Sequence, residues 1–120
     1  MARIIFADDQ AGLYDGMTER LTEQGHQVLV FKQASEALGY IKDHFTEIDL
    51  LITDWVFAGQ GFTGADILHL FRGVSDAPAL IFSNDSRALD AAAEYEVVCT
   101  GKDEKRLFVA LAEALTPPSA

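Results

Sequence analysis

The 120 residues predict an α/β fold: a doubly wound, five-stranded parallel sheet of order 2-1-3-4-5 with helices on both faces. Three observations predict it. Short apolar, β-prone runs alternate five times with longer segments whose apolar residues recur at helical spacing, and that alternation calls for a parallel sheet covered by helices. Five strands wound in this way commonly take the order 2-1-3-4-5. The length holds one hydrophobic core and is too short for two, while 49% apolar residues argues against disorder.

In chain order, residues 3–7 (Arg-Ile-Ile-Phe-Ala) read as a buried first strand that ends in Asp8 and Asp9. Residues 11–24 read as a helix with Leu13, Met17 and Leu21 at helical spacing and Gly25 as its C-terminal stop. Residues 27–31 (Gln-Val-Leu-Val-Phe) form the second strand, and residues 35–45 the second helix, with Ala37, Leu38, Ile41 and Phe45 on one face. The third strand, 49–53, is apolar throughout its centre, as expected of a strand buried on both faces, and Asp54 stands at its end. A glycine-rich loop leads to a helix with Ile67, Leu68 and Phe71 inward, which stops near Gly73. Residues 78–82 are the fourth strand, 86–93 a short alanine-rich helix, 96–99 a weak fifth strand and 103–115 the last helix, carrying Leu107, Phe108, Leu111 and Leu115. Residues 1–115 make one domain, and Thr-Pro-Pro-Ser-Ala at 116–120 reads as a tail or the start of a linker.

Nineteen acids against nine bases leave a formal charge of -10, a surface that repels nucleic acid and anionic membrane. The single cysteine, Cys99, excludes an internal disulfide and a cysteine-based zinc site. No stretch approaches the roughly 20 apolar residues of a membrane span, and the N-terminal apolar run is too short for a signal peptide. The expected location is cytoplasmic. His26, His44 and His69 show no metal-ligand spacing, and Gly59-Gln-Gly61 lacks the Gly-Lys-Ser/Thr ending of a nucleotide loop.

In an open α/β sheet, ligands bind at the carboxyl ends of the strands, at the point where the strand order reverses. The order 2-1-3-4-5 places strands one and three side by side there, so Asp8, Asp9 and Asp54 meet. Alone, Asp54 would pass for a strand cap, and Asp8 or Asp9 for a helix cap. Three carboxylates together repel, by about 4 kcal/mol for two charges about 4 Å apart at an effective dielectric of about 20. Such a cluster takes up protons or binds a cation, and a hard divalent ion such as Mg2+ suits its oxygen ligands. Ser83 after strand four and Lys102 after strand five add a hydroxyl and an ammonium at the same edge. The set could hold a phosphoryl group, with Mg2+ on one side and the hydroxyl and ammonium on the other.

By this pattern of Asp8-Asp9, Asp54, Ser83 and Lys102, over essentially its whole length, the chain resembles the receiver domains of two-component response regulators, the CheY-like family with a flavodoxin-like fold. The resemblance implies phosphoryl transfer from a histidine kinase or phosphotransfer protein to Asp54. It implies Mg2+ held by Asp9, Asp54 and the main-chain carbonyl of Val56, with Asp8 helping through water. It implies that Ser83 and Lys102 engage the acyl phosphate and shift the face made by helix four, strand five and helix five. A downstream effector or fused output domain would read that face, or a second copy would pair through it as a homodimer. The domain would catalyse its own phosphorylation and dephosphorylation without being a metabolic enzyme. The sequence departs from the family's pattern at five residues and in a shorter segment between Ser83 and Lys102. Ala58 and Phe62 replace the usual proline and glycine after the acceptor, so that Gly64 matches the glycine only if the loop is two residues longer. Asn84 replaces a small residue after the switch hydroxyl. Cys99 stands at the aromatic switch position, and Asp103 follows Lys102 where proline is usual. Two rival readings are a receiver-like module that works by protein contacts alone and a Mg2+-dependent phosphohydrolase with Asp54 as nucleophile. The second would need another acid close to Asp54, and Trp55-Val56 supplies none.

Overall fold

Alternation along the strands sorts the core into two layers. Residues Arg3–Ala7 form β1 at the centre of the sheet. Ile5 and Ala7 point to one face and Ile4 and Phe6 to the other, all fully buried. The computed structural model describes residues 2–115, so the expected tail at 116–120 lies outside the described residues. The remaining strands and α-helices are α1 (Asp15–Glu23), β2 (Gln27–Phe31), α2 (Ala34–His44), β3 (Leu50–Thr53), α3 (Gly64–Val74), β4 (Ala79–Ile81), α4 (Ser86–Tyr95), β5 (Val98–Cys99) and α5 (Glu104–Leu115). All strand pairs are parallel and the order is β2-β1-β3-β4-β5, as the sequence predicts.

The layer containing Ile5, Leu51 and Ile81 takes Ala34, Ala37 and Ile41 of α2, Ile67, Leu68 and Phe71 of α3, and Ala88, Ala91 and Ala92 of α4. The opposite layer, with Ile4, Phe6, Leu50, Ile52, Leu80 and Phe82, takes Met17 and Leu21 of α1 and Leu107, Ala110 and Leu111 of α5. Helices thus cover both faces, which is what strands apolar on both sides require. Gly25, at φ +93, follows α1 and ends it as expected.

Three expectations need correction. Leu13 does not face the core: it is 73% exposed. The chain first makes a 3-10 turn, Ala11–Tyr14, before α1 begins at Asp15. That turn closes in three residues and not 3.6, so the inward phase moves and Ala11 and Tyr14 take the core-facing places. The alanine-rich helix α4 runs two residues past its expected end, to Tyr95, because Glu96 adopts the left-handed conformation (φ 56) and caps it there. As a result β5 is reduced to Val98–Cys99.

Candidate functional site

The register of the sheet brings the chemistry together. Ala7 of β1 pairs with Thr53 of β3, Thr53 with Ile81 of β4, and Ile81 with Cys99 of β5. The strands therefore end in one row, and the next residues of β1 and β3, Asp8 and Asp54, stand side by side. Main-chain bonds carry the row one step further: the Asp54 amide donates to the Ala7 carbonyl at 2.8 Å and the Phe82 amide to the Thr53 carbonyl at 2.8 Å.

Asp8 is fully buried, and Asp54 has a side chain 12% exposed. Asp8 Oδ1 accepts the Gln10 amide at 2.8 Å, and Asp54 Oδ1 accepts the Trp55 amide at 2.6 Å. Asp9, half-buried, accepts the Ala58 amide at 3.2 Å and so ties the first acidic turn to the β3–α3 loop. The three acids each offer a carboxylate oxygen, all within 4.8 Å of one another. A donor set of hard oxygens this close fits a divalent ion of the Mg2+ kind.

Lys102 reaches across from the loop after β5. Its Nζ donates to Asp8 Oδ2 and, at 3.2 Å, to Asp54 Oδ2. The ammonium also lies 4.9 Å from the centre of the Tyr14 ring and 4.7 Å from that of Phe82, so two aromatic faces flank it. Both sides of the pair hold their protons more firmly than usual, Asp8 chiefly through burial and Lys102 through its acidic partners. Burial lifts the Asp8 carboxyl above its ordinary value, against the lowering hydrogen bonds from Lys102 and the Gln10 amide, and the Asp54 charge lifts it further. For Lys102, burial pulls downward, but the Asp8 hydrogen bond and the charges of Asp54 and Asp8 outweigh it and raise the ammonium.

The remaining expected site residues are placed as follows. Ser83 is buried at the exit of β4, and its Oγ accepts the Asp85 amide at 3.1 Å. Val56 is exposed in the loop two residues beyond Asp54. Cys99, half-buried, ends β5, with its Sγ 3.5 Å from the Ser83 carbonyl oxygen as a weak donor. Asp85 caps α4: its carboxylate accepts the Arg87 amide and is held down to about 2 by hydrogen bonds from the Arg87 side chain and amide.

Three contributors, Tyr14, Phe82 and Asn84, have no assigned role in the sequence pattern, and a fourth, Gly64, has one. Tyr14 and Phe82 were hidden because the 3-10 turn shifts the helical phase and because Phe82 read only as strand core. Asn84, which replaces a small residue of the family's pattern, accepts the Lys102 amide at 2.9 Å with its exposed side chain. Gly64 stands where the longer-loop reading placed the family's glycine: a Cβ there would lie 1.9 Å from the Asp54 carbonyl oxygen and 2.7 Å from Trp55 Cα. The Gly64 amide donates to the Trp55 carbonyl at 2.8 Å, so α3 starts pressed against the main chain of Asp54 and Trp55. The loop between them is braced by Gln60, which accepts the Ala34 amide at 2.7 Å and donates to the Lys32 carbonyl at 3.1 Å.

No protein-family model matches the chain, and no curated protein matches it in sequence. Solved structures do. A response regulator receiver domain protein from Clostridium thermocellum is similar at TM-score 0.80 and 21% identity, covering 96% of this chain and 94% of that one. The receiver domain of the hybrid histidine kinase CckA is similar at TM-score 0.76 and 27% identity, covering 95% and 99%. The non-phosphorylated HemR receiver domain from Leptospira biflexa is similar at TM-score 0.81 and 22% identity over 100% of both chains. The chain thus resembles response regulator receiver domains over nearly its whole length and has their CheY-like, flavodoxin-like fold.

Proposed function

We propose that this chain is the phosphoacceptor receiver domain of a two-component phosphorelay, taking a phosphoryl group from a histidine kinase or phosphotransfer protein onto Asp54. The observation that carries this is the environment of Asp54. One oxygen is fixed by the Trp55 amide, the other faces the Lys102 ammonium, and two further carboxylates stand beside it. In the transfer, an Asp54 carboxylate oxygen forms a bond to phosphorus as the P–N bond of the phosphohistidine breaks, and the imidazole leaves with the electron pair. The acidic end of the sheet would hold Mg2+ through Asp9, Asp54 and the Val56 carbonyl, with Asp8 helping through water, and the bound ion would neutralise charge on the phosphoryl oxygens.

The chain's own residues do the rest. The Trp55 amide aims the Asp54 carboxylate out of the sheet end. Lys102 exchanges a carboxylate partner for phosphoryl oxygens, where a charge-assisted hydrogen bond is strongest. The Ser83 hydroxyl, which accepts from Asp85, has its own proton to donate. Because Ser83 and Lys102 leave β4 and β5, their movement would reach the α4–β5–α5 face. That face would contact a downstream effector, a fused output domain or a second copy of the chain. Such a domain acts as a cytoplasmic signalling switch, and the only reaction it catalyses is its own phosphorylation and dephosphorylation.

Acetyl phosphate with Mg2+ should add one phosphoryl mass to the protein, and Asp54→Asn should abolish the addition. Undiminished modification of the Asn variant would overturn the assignment of Asp54. Failure of the wild type to accept the group would favour a module that works by contacts alone.

A further inference from the structure

We infer that Asn84 is a positioning residue for Lys102: its side-chain carbonyl pins the loop that delivers the ammonium to Asp8 and Asp54. The inference rests on the reading of Asp54 as phosphoacceptor for its consequence, and on geometry alone for its cause.

The ladder between β4 and β5 is short. It pairs Leu80 with Val98 and Ile81 with Cys99, and the Thr100 amide extends it by one bond, at 3.0 Å to the Ile81 carbonyl. Beyond that row the two chains diverge, one into α4 and the other into the turn at 101–103. Lys102 must nevertheless place its ammonium on residues 94 and 48 positions away in sequence. The bond that continues the connection past the end of the ladder is made by a side chain: Asn84 Oδ1 accepts the Lys102 amide at 2.9 Å.

The turn is shaped around that bond. Gly101 has φ +65, and a Cβ on it would lie 2.9 Å from Asn84 Oδ1. The oxygen therefore occupies the space a side chain at 101 would need, and the positive φ turns the next amide toward it. On the other side the Thr100 hydroxyl donates to the Gly101 carbonyl at 3.0 Å. Asn84 is also set firmly from its own side. Ser83 before it is buried and bonded to Asp85, and Asp85 after it caps α4. Three consecutive residues thus divide the work: a hydroxyl for the site, a carbonyl for the lysine loop and a carboxylate for the helix.

The amide held by Asn84 belongs to the residue whose ammonium does the chemistry. A slack turn at 101–103 would let Nζ wander among Asp8, Asp54 and solvent, and misplacement by a fraction of an ångström is enough to slow a reaction that depends on positioning. Asn84→Asp keeps an acceptor oxygen in the same place and should rescue; Asn84→Ala removes it.

The test has two arms. By NMR on the protein with no Mg2+ or donor added, wild type and Asn84→Asp should show a Lys102 amide protected from exchange and a slowly exchanging Lys102 ammonium signal, and Asn84→Ala should lose both. Retention of both signals in Asn84→Ala would overturn the inference, whether or not the protein is phosphorylated. With acetyl phosphate and Mg2+, Asn84→Ala should lower the maximal rate of phosphorylation by about fivefold, the factor one neutral hydrogen bond represents, with the donor KM unchanged. In a Lys102→Ala background the same substitution should have no further effect. A full effect in that background would show that Asn84 does not act through Lys102 and would overturn the proposal. Absence of wild-type phosphorylation would instead sink the phosphoacceptor reading and leave the NMR arm to decide the clamp.

Discussion

Gly64 is the residue whose role is most sharply defined by space. A Cβ at this position would meet main-chain atoms of Asp54 and Trp55, at 1.9 Å and 2.7 Å, and no side-chain rotation relieves such a contact. Gly64→Ala therefore has to push the start of α3 away from the end of β3. It should destabilise the fold by about 3 kcal/mol, in the range of overpacking and backbone displacement. Urea denaturation should show a lower midpoint, and acetyl phosphate labelling a reduced rate, because the moved carbonyl belongs to Asp54 itself. An unchanged midpoint would mean that the loop gives way without strain. By contrast, no glycine-specific need arises at Gly16 or Gly39, where a Cβ would meet open space.

At the scale of elements, α4 and β5 stand apart from the rest. The inward residues of α4 are Ala88, Ala91 and Ala92, against Ile67, Leu68 and Phe71 in α3. At roughly 25 cal/mol per Å2 of apolar surface, three methyl groups contribute far less than two large aliphatic chains and a ring. β5 is an edge strand of two residues. This unit should open well below the global unfolding free energy, as segments with little buried apolar area do. Native-state hydrogen exchange in low denaturant should show α4 and β5 amides exchanging through such an opening, while β1 and β3 amides exchange only on global unfolding. Equal protection of all four would contradict this. A weakly held α4–β5 unit next to Ser83 and Lys102 is also the part of the fold that a new charge at Asp54 would shift at least expense.

The whole molecule carries a formal charge of -10, and three of its acids converge at one sheet end. Two effects of Mg2+ are therefore separable. General screening weakens repulsion over the surface and any salt supplies it. Occupancy of the acidic cluster would exist only in the folded state and would stabilise by mass action, about 2.7 kcal/mol at a hundred times the dissociation constant. Millimolar Mg2+ should raise the melting temperature of wild type above that in NaCl of matched ionic strength, and Asp9→Ala should show only the NaCl-sized rise. Equal rises in both proteins would place the ion elsewhere.

The strand–helix alternation, the sheet order and the meeting of Asp8, Asp9, Asp54 and Lys102 at one sheet end were legible in the sequence, and Ser83 stands at the end of β4 where it was expected. Periodicity reports local backbone geometry and burial, and the rule that parallel strands end at one edge turns five separate residues into a set. The spatial facts that rule leaves open were decided by tertiary structure. Lys102 lies 94 residues from Asp8, and the contact between them depends on the order of five strands and on the turn that Asn84 holds. Tyr14 comes to flank Lys102, and Leu13 to face solvent, because one turn closes in three residues where the apolar spacing counted 3.6. Gly64 fits the family's pattern only with a longer loop, and the reason a glycine stands there, a close approach of two main-chain segments, is tertiary. Residue type and spacing determined which chemistry is available; the closing of turns and the packing of distant segments decided which atoms meet, since those depend on the whole chain being folded at once.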